Sequence, residues 1–190
     1  MRRTILTALL CLTLLPSVGA GSVRQPTPAP EWRIGEWING DPGNLADHRG
    51  KVVLIEFFQL WCPGCKNFSV PLFKRWHERY GQRDDVLVVS IHTVFEGHDY
   101  QSPERLREFV EIWGIEHPVG IDAFADDGDE VPETMRRYRT GGTPHVAIVD
   151  KSGQQRFRHL GRFDEEVVEA LIDRLLDEPA PGTRESGTRP

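Results

Sequence analysis

Two cysteines, Cys62 and Cys65, stand three residues apart in the sequence WCPGC of residues 61–65. This sequence directly follows an apolar run, Val52 to Phe58. A strand that delivers a Cys-x-x-Cys pair to the start of a helix is the arrangement of a thiol–disulfide redox site. We expect Cys62 to be the attacking thiol, because the free N–H groups and the dipole of a helix N-terminus favour a thiolate. We expect Cys65, one turn further on, to be the more buried resolving thiol.

The cysteine pair has two other interpretations. A structural disulfide is disfavoured, because so small a ring would constrain the unfolded chain little. A Cys₄ or Cys₃His zinc site is excluded if Cys11, the third cysteine, leaves with the N-terminal segment. A copper chaperone that uses both thiolates and a histidine such as His92 or His145 stays open, since soft thiolates suit Cu(I).

The N-terminal residues 1–20 have the pattern of a secretory signal peptide. Two arginines precede an apolar segment from Ile5 to Leu15, and the small residues Val18-Gly19-Ala20 offer a cleavage site after Ala20. The alternative, an uncleaved anchor, is disfavoured because the apolar segment is short for a membrane span. We therefore expect a periplasmic or secreted protein whose mature form holds only Cys62 and Cys65.

The remaining chain predicts one domain with flexible ends. Residues 21–30 form a Pro-rich linker, residues 31–177 the domain, and residues 178–190 a disordered C-terminal tail rich in Pro, Gly, Ser, Thr and charge. The formal net charge is −6, which argues against general nucleic-acid binding.

The apolar patterns predict the element order β-α-β-α-(β)-α-β-β-α, hence a mixed sheet with helices on both faces. The predicted strands are a hairpin arm within Trp32–Asn39, then Lys51–Phe58, Val86–His92, Pro118–Asp122, His145–Asp150 and Gln154–Leu160. The predicted helices are Cys65–Tyr80, kinked at Pro71, then Pro103–Trp113, Pro132–Tyr138 and Asp164–Leu176. On the last helix the predicted apolar side consists of Val167, Val168, Leu171, Ile172 and Leu175.

The combination of Trp-Cys-Pro-Gly-Cys with Gly142-Thr143-Pro144 about 80 residues later resembles thioredoxin-fold proteins, and among them the exported TlpA/ResA-like thiol–disulfide oxidoreductases. The resemblance covers roughly residues 31–176. It implies a thioredoxin-like α/β fold with a strand-helix insertion at about residues 93–130. It also implies that the peptide bond before Pro144 is cis and that the proline ring faces the cysteines. The alternative is an ordinary trans proline that begins an edge strand.

The resemblance implies substrate contacts around the two motifs. The backbone of Thr143 would pair with an extended substrate strand. We expect Trp61 to shape the docking surface, although core packing is an equal alternative for an aromatic residue. Pro63 and Gly64 are expected to tune the thiolate, and His145, directly after Pro144, to contact a partner.

Glu56 interrupts the apolar strand six residues before Cys62. Burial would raise its pKa and let it exchange protons near neutral pH, whereas a solvent-facing Glu would do neither. The position matches the buried acid of thioredoxins, which serves the resolving cysteine.

Two positions depart from related patterns. ResA-like proteins place a Glu three residues after the second cysteine, where this chain has Phe68, so that acid and its substrate preference are not carried over. Peroxiredoxin-like peroxidases place Thr or Ser three residues before their reactive cysteine, where this chain has Gln59, which counts against a peroxidase.

The sequence therefore predicts an exported thiol–disulfide oxidoreductase, a reductant of protein disulfides. Its redox group would be the Cys62–Cys65 disulfide, with no small-molecule cofactor and no metal. The resemblance implies exported thiol or disulfide proteins such as apocytochromes c as partners, and a membrane electron donor that recharges the pair.

Overall fold

The computed structural model describes residues 26–182. The predicted signal peptide, Cys11, the first half of the predicted linker and most of the predicted tail lie outside these residues. Within residues 26–182, no helix is long and apolar enough to cross a membrane.

Seven strands and four α-helices make up the described fold. The strands are β1 (Thr27–Pro28), β2 (Ile34–Ile38), β3 (Val52–Phe58), β4 (Val86–His92), β5 (Val119–Asp122), β6 (His145–Val149) and β7 (Gln154–Leu160). The helices are α1 (Val70–Tyr80), α2 (Pro103–Trp113), α3 (Glu133–Tyr138) and α4 (Glu165–Asp177), with a 3₁₀ turn at Leu45–His48 and a π-helical turn at Cys65–Ser69.

One mixed sheet in the order β1-β7-β6-β3-β4-β5-β2 forms the centre of the molecule. Strand β3 is parallel to β4 and antiparallel to β6, so it is covered on both sides within the sheet. All seven of its residues are buried, which explains its near-continuous apolar sequence. The predicted thioredoxin-like α/β architecture, with helices on both faces, is confirmed.

The two faces of β3 belong to different core clusters. Val52 and Leu54 pack with residues of α1 and α4, whereas Val53, Ile55 and Phe57 pack with Trp32 and Tyr138 on the other face. Since side chains alternate along a strand, Glu56 points to the same face as Leu54, under α1.

The helix that follows the cysteines is irregular near Pro71, the residue at which the sequence predicts a kink. Pro71 is one of the first two residues of α1, and the preceding turn, Cys65–Ser69, is π-helical. Because proline has no N–H and its ring displaces the carbonyl of the preceding turn, the chain widens there instead of continuing as regular α-helix.

Three sequence predictions need correction. Residues 32–39 contain one edge strand, β2, which pairs antiparallel with β5, and not a hairpin. Thr27 and Pro28, which lie within the predicted linker, form an edge strand that pairs with β7. Proline is tolerated in an edge strand because one side of that strand faces solvent and needs no N–H donor for a further strand. On α4, Val168, Ile172 and Leu175 are buried as predicted, but Val167 is 66% exposed.

Candidate redox site

The two cysteines lie where β3 ends and the following helix begins. Both are free thiols in this structure, Cys62 at the edge of the site and Cys65 fully buried. The sulfur of Cys62 lies 3.2 Å from the backbone nitrogen of Cys65, which donates to it. The Cys62 thiol also donates to the backbone carbonyl of Thr143, at 3.6 Å. Cys62 is therefore the thiol at the mouth of the site, as the sequence predicts.

The surroundings separate the acidities of the two thiols. The pKa of Cys62 is lowered to about 6, chiefly because the Cys65 thiol donates a hydrogen bond to the Cys62 sulfur. The backbone N–H groups of Cys65 and Gly64 lower this pKa further, whereas burial of Cys62 acts to raise it. The same hydrogen bond, together with burial, raises the pKa of Cys65 well above its usual range. Cys62 can therefore attack as a thiolate near neutral pH, whereas Cys65 needs a base that takes its proton.

Glu56 is buried close enough to this pair to interact with the charge of both cysteines. It is 1% exposed, which confirms its predicted burial. Burial raises its pKa to about 7, the hydroxyl groups of Ser69 and Ser90 oppose the rise, and the charge of Cys62 adds to it. Its negative charge in turn contributes to the raised pKa of Cys65. A carboxylate with this pKa can accept and return a proton at neutral pH.

The segment Thr143-Pro144 forms the opposite wall of the site. The peptide bond between them is cis, as the resemblance implies. A Cβ atom placed on Gly64 would lie 2.9 Å from Cδ of Pro144 and 3.8 Å from the sulfur of Cys62. Glycine between the cysteines is thus what lets the redox turn approach the proline ring this closely.

A groove of about 680 Å³ opens beside Cys62. It is lined by Gln59, Trp61, Cys62, Pro63, Phe95, Glu96, Gly141, Gly142, Thr143, Leu160 and Gly161. Most of these residues offer apolar surface or backbone, and Glu96 supplies the only charged side chain in this lining. The groove suits an extended peptide whose backbone pairs with the Thr143 segment.

Trp61 is part of the surface around this groove. Its ring is 40% exposed and stacks on Tyr100 at 6.2 Å, and its indole N–H donates to the side-chain oxygen of Gln59 at 3.3 Å. Gly97, with a φ of +63°, lies under the indole, where a Cβ would come within 2.3 Å of the ring. The core alternative for Trp61 does not fit this exposure, and its substrate contact stays a prediction.

The prediction for His145 is contradicted. Its side chain is 3% exposed, its Nδ1 lies 3.0 Å from the carbonyl of Thr140, and its ring packs on Phe57. Phe57 lies on the face of the sheet opposite to Glu56. The side chain of His145 packs on that same face, so it points away from the groove and cannot contact a partner there. His92, the other candidate histidine, is also buried and lies 3.3 Å from the side-chain oxygen of Gln101.

Phe68 replaces the acid of ResA-like proteins with an aromatic contact. It is buried, packs edge-on against Phe163 at 5.0 Å, and carries the guanidinium of Arg162 over its ring at 4.7 Å. The second acid of that branch therefore has no equivalent here, and Glu56 is the buried carboxyl beside the cysteines.

The model of the thioredoxin-like domain family matches residues 44–176. The chain belongs to this family. A solved thiol–disulfide isomerase from Corynebacterium glutamicum is 39% identical, with a TM-score of 0.74 over 80% of this chain and 97% of that one. The thiol–disulfide oxidoreductase ResA of Geobacillus kaustophilus is 22% identical over 92% of this chain and 97% of its own length. The predicted resemblance to ResA-like members of the thioredoxin-like family is thus confirmed.

A longer relative shows the same domain within a larger protein. Protein DipZ of Mycobacterium bovis is 29% identical over 88% of this chain. This thioredoxin-like chain, however, spans only 23% of the length of DipZ.

The structure adds residues that the sequence does not single out. Ser90 and His117, both buried, extend from Glu56 in a hydrogen-bonded row, and Tyr100 supports Trp61. Ser90 lies on an apolar strand at the position paired with Glu56, which a strand alignment would have revealed; nothing in the sequence points to His117. Within residues 26–182, no three His, Cys, Asp or Glu side chains gather in a geometry that could hold a metal ion.

Proposed function

We propose that this protein is an exported thiol–disulfide oxidoreductase that reduces disulfides in other exported proteins. The observation that carries the proposal is the placement of the Cys62 sulfur, 3.2 Å from the N–H of Cys65 and beside the Thr143 carbonyl. In this position the thiolate attacks a partner disulfide and forms a mixed disulfide. Cys65 then attacks the Cys62 sulfur, the Cys62–Cys65 disulfide forms, and the partner leaves reduced.

The acidity of Cys62 supports this direction of the reaction. Strong oxidants of this fold hold their reactive thiol at a pKa near 3.5, which stabilises the dithiol form, whereas thioredoxin holds it near 7. A pKa of about 6 for Cys62 is closer to thioredoxin. This favours a reductant, which must be recharged by an electron donor after each turnover.

Export and partners belong to the same proposal. The N-terminal residues 1–20 support export, and a mature chain with only the redox pair would spend no cysteine on structural disulfides. The groove beside Cys62 supports protein partners in extended conformation, among which apocytochromes c fit the chemistry, with a membrane protein as electron donor. The redox group is the cysteine pair itself, with no small-molecule cofactor.

The reduction potential of the pair, measured by equilibration with thiol buffers, tests the direction. A value near or below about −270 mV supports a reductant, and one near about −120 mV identifies an oxidant. Failure to form a reversible Cys62–Cys65 disulfide would overturn the redox function itself. N-terminal sequencing of the protein recovered from its host tests export, with Gly21 as the expected first residue.

A further inference from the structure

Glu96 is the only Asp, Glu, Lys or Arg among the residues that line the groove beside the redox pair. It is exposed, and its carboxylate makes no ion pair or hydrogen bond with the part of the chain that the structure describes. Arg162, which directly follows the last residue of the lining, is engaged elsewhere. Its guanidinium lies 4.7 Å from the centre of the Phe68 ring and donates to the carbonyl of Asn67 at 3.3 Å. The groove wall therefore carries one unpaired negative charge.

The backbone that carries this charge is held from two directions. The buried side-chain amide of Gln101 donates to the carbonyl of Glu96 at 2.8 Å and accepts from the N–H of Leu60 at 3.0 Å. The next residue, Gly97, fits under the indole of Trp61, where a Cβ would come within 2.3 Å of the ring. The carboxylate is therefore attached at a fixed point of the wall, next to Trp61.

One buried side chain, Gln59, joins this wall to the wall formed by Thr143. Its side-chain oxygen accepts from the indole N–H of Trp61 at 3.3 Å and from the hydroxyl of Thr143 at 3.4 Å. Gln59 itself is 1% exposed. The spacing between the charged wall and the segment that pairs with a partner strand is thus set before a partner binds, and binding needs less ordering.

We propose that the groove selects extended partner segments that carry a Lys or Arg close to the target cysteine, and that Glu96 is the residue that determines this specificity. The inference rests on the proposed oxidoreductase function and names the class of segment on which it acts. A cation beside the target cysteine pairs with Glu96, whereas an Asp or Glu there is repelled. The partner backbone still pairs with Thr143, while its side chains alternate towards the groove walls.

The expected preference is modest because Glu96 is exposed. One exposed ion pair corresponds to a change of about 1.5-fold to fivefold in a rate constant, and salt screens it. Three other factors also favour a basic segment: the Cys62 thiolate, the formal net charge of −6, and the effect of a lysine on the reactivity of a neighbouring disulfide. Comparison of variants separates Glu96 from these factors, because only its contribution changes.

The test uses peptides in which a cysteine is joined by a disulfide to 2-thiopyridine, with Lys or Gln in turn at each position that flanks the cysteine. The Cys62 thiolate attacks the peptide sulfur, the bond to 2-thiopyridine breaks, and 2-thiopyridone leaves and is measured by its absorbance. Cys65 then attacks the Cys62 sulfur, and the peptide leaves as a thiol. The measured quantity is the ratio of the second-order rate constants for the Lys and Gln peptides at low salt, in which changes in the reactivity of Cys62 cancel.

In the wild type, the Lys peptide should react faster than the Gln peptide at one or more flanking positions. Glu96→Gln should lower that ratio by about 1.5-fold to fivefold, because the ion pair is lost. Glu96→Lys should lower it again by a similar factor, because attraction becomes repulsion. Glu166→Gln, which removes the same charge at an exposed site on α4, should keep the wild-type ratio.

Equal ratios in the wild type and Glu96→Gln at every flanking position would overturn the inference. An equal decrease in Glu96→Gln and Glu166→Gln would also overturn it, because the preference would then come from the overall charge of the protein. Failure of the proposed function differs from both outcomes, since the wild type would then hold the peptide as a mixed disulfide and form no Cys62–Cys65 disulfide, whatever the charge of the peptide.

Discussion

The side-chain oxygen of Gln101 accepts a hydrogen bond from the backbone N–H of Leu60 at 3.0 Å, across 41 residues of sequence. The amide nitrogen of Gln101 donates to the carbonyl of Glu96 at 2.8 Å. One buried amide thus ties the loop between β4 and α2 to the residues that lead into the cysteine motif. The same loop carries Tyr100 and Gly97, which pack on Trp61. The position of the groove wall therefore depends on a hydrogen bond that involves neither sulfur atom.

We expect Gln101→Met to loosen this wall. The substitution preserves length but leaves the Leu60 N–H unpaired in the interior, which costs about 1–3 kcal/mol of unfolding free energy. Because Trp61 loses its fixed support, KM for a protein disulfide substrate should rise while the pKa of Cys62 is unchanged. Urea unfolding and steady-state kinetics check the two effects. An unchanged KM would show that the loop does not shape substrate binding.

The reactivity of Cys62 should depend on pH as expected for a lowered pKa. In the reduced protein, the rate of alkylation by iodoacetamide should rise with pH and reach half of its plateau near pH 6, instead of near the ordinary value of 9.0. In Cys65→Ser, a hydroxyl replaces the thiol whose hydrogen bond lowers the pKa of Cys62 most, so we expect a modest shift of this pKa. Mass spectrometry of the labelled peptide identifies the residue. Preferential labelling of Cys65 would reverse the assigned roles.

Glu56→Gln should separate the two steps of the reaction. Glutamine cannot accept the proton of Cys65, so release of the partner from the mixed disulfide should slow by about 10²-fold, as expected for loss of a general base. Formation of the mixed disulfide by Cys62 should change little, because Cys62 is already a thiolate near pH 7. Rapid-quench analysis resolves both rates. Equal resolution rates in the two proteins would remove Glu56 from the mechanism.

The parts of the site that the sequence predicts are those set by local pattern. The apolar run of β3 and the two cysteines after it specify a buried strand that leads into a helix, and the structure has both. The long helices α2 and α4 follow from their apolar periodicity and from their caps, Ser102 and Asp164. These features need no knowledge of distant residues.

The parts that the sequence does not predict depend on pairing between distant segments. The partner of β2 is β5, about 80 residues later, so the apolar residues of 32–39 alone could not distinguish one edge strand from a hairpin. The contact of Ser90 with Glu56 likewise depends on the register of β3 against β4. His145 is different, because alternation along a strand already places it on the face opposite Pro144, and its burial could have been predicted.

Gly64→Ala tests the close approach of the redox turn to Pro144. An added Cβ would lie 2.9 Å from the proline ring, so either the ring or the turn must shift, which we expect to cost about 1–3 kcal/mol of unfolding free energy. The rate of disulfide exchange should fall with it, because the sulfur of Cys62 moves relative to Thr143. Gly35→Ala is the control, since its Cβ would meet only the Ile121 carbonyl at 3.9 Å. Two equally stable and active variants would contradict this role for Gly64.

Glu56 should also make the reduced protein less stable as pH rises. Its pKa is about 7 in the folded state and 4.5 in the unfolded state, so between these values the folded protein binds more protons and unfolding becomes easier with increasing pH. Below pH 4.5 this contribution is absent, and above pH 7 it reaches its full size of about 3 kcal/mol.

The contribution is isolated by the difference in unfolding free energy between Glu56→Gln and the wild type, measured by urea unfolding from pH 4 to pH 8. The difference should shift in favour of Glu56→Gln as pH rises, because glutamine does not titrate, while the changes due to Cys62 cancel between the two proteins. Glu166→Gln, at an exposed site on α4, controls for the loss of one negative charge. If this difference in unfolding free energy stayed constant across the range, Glu56 would ionise in the folded protein as easily as in the unfolded chain. Glu56 would then lack the raised pKa that its role as a base near neutral pH requires.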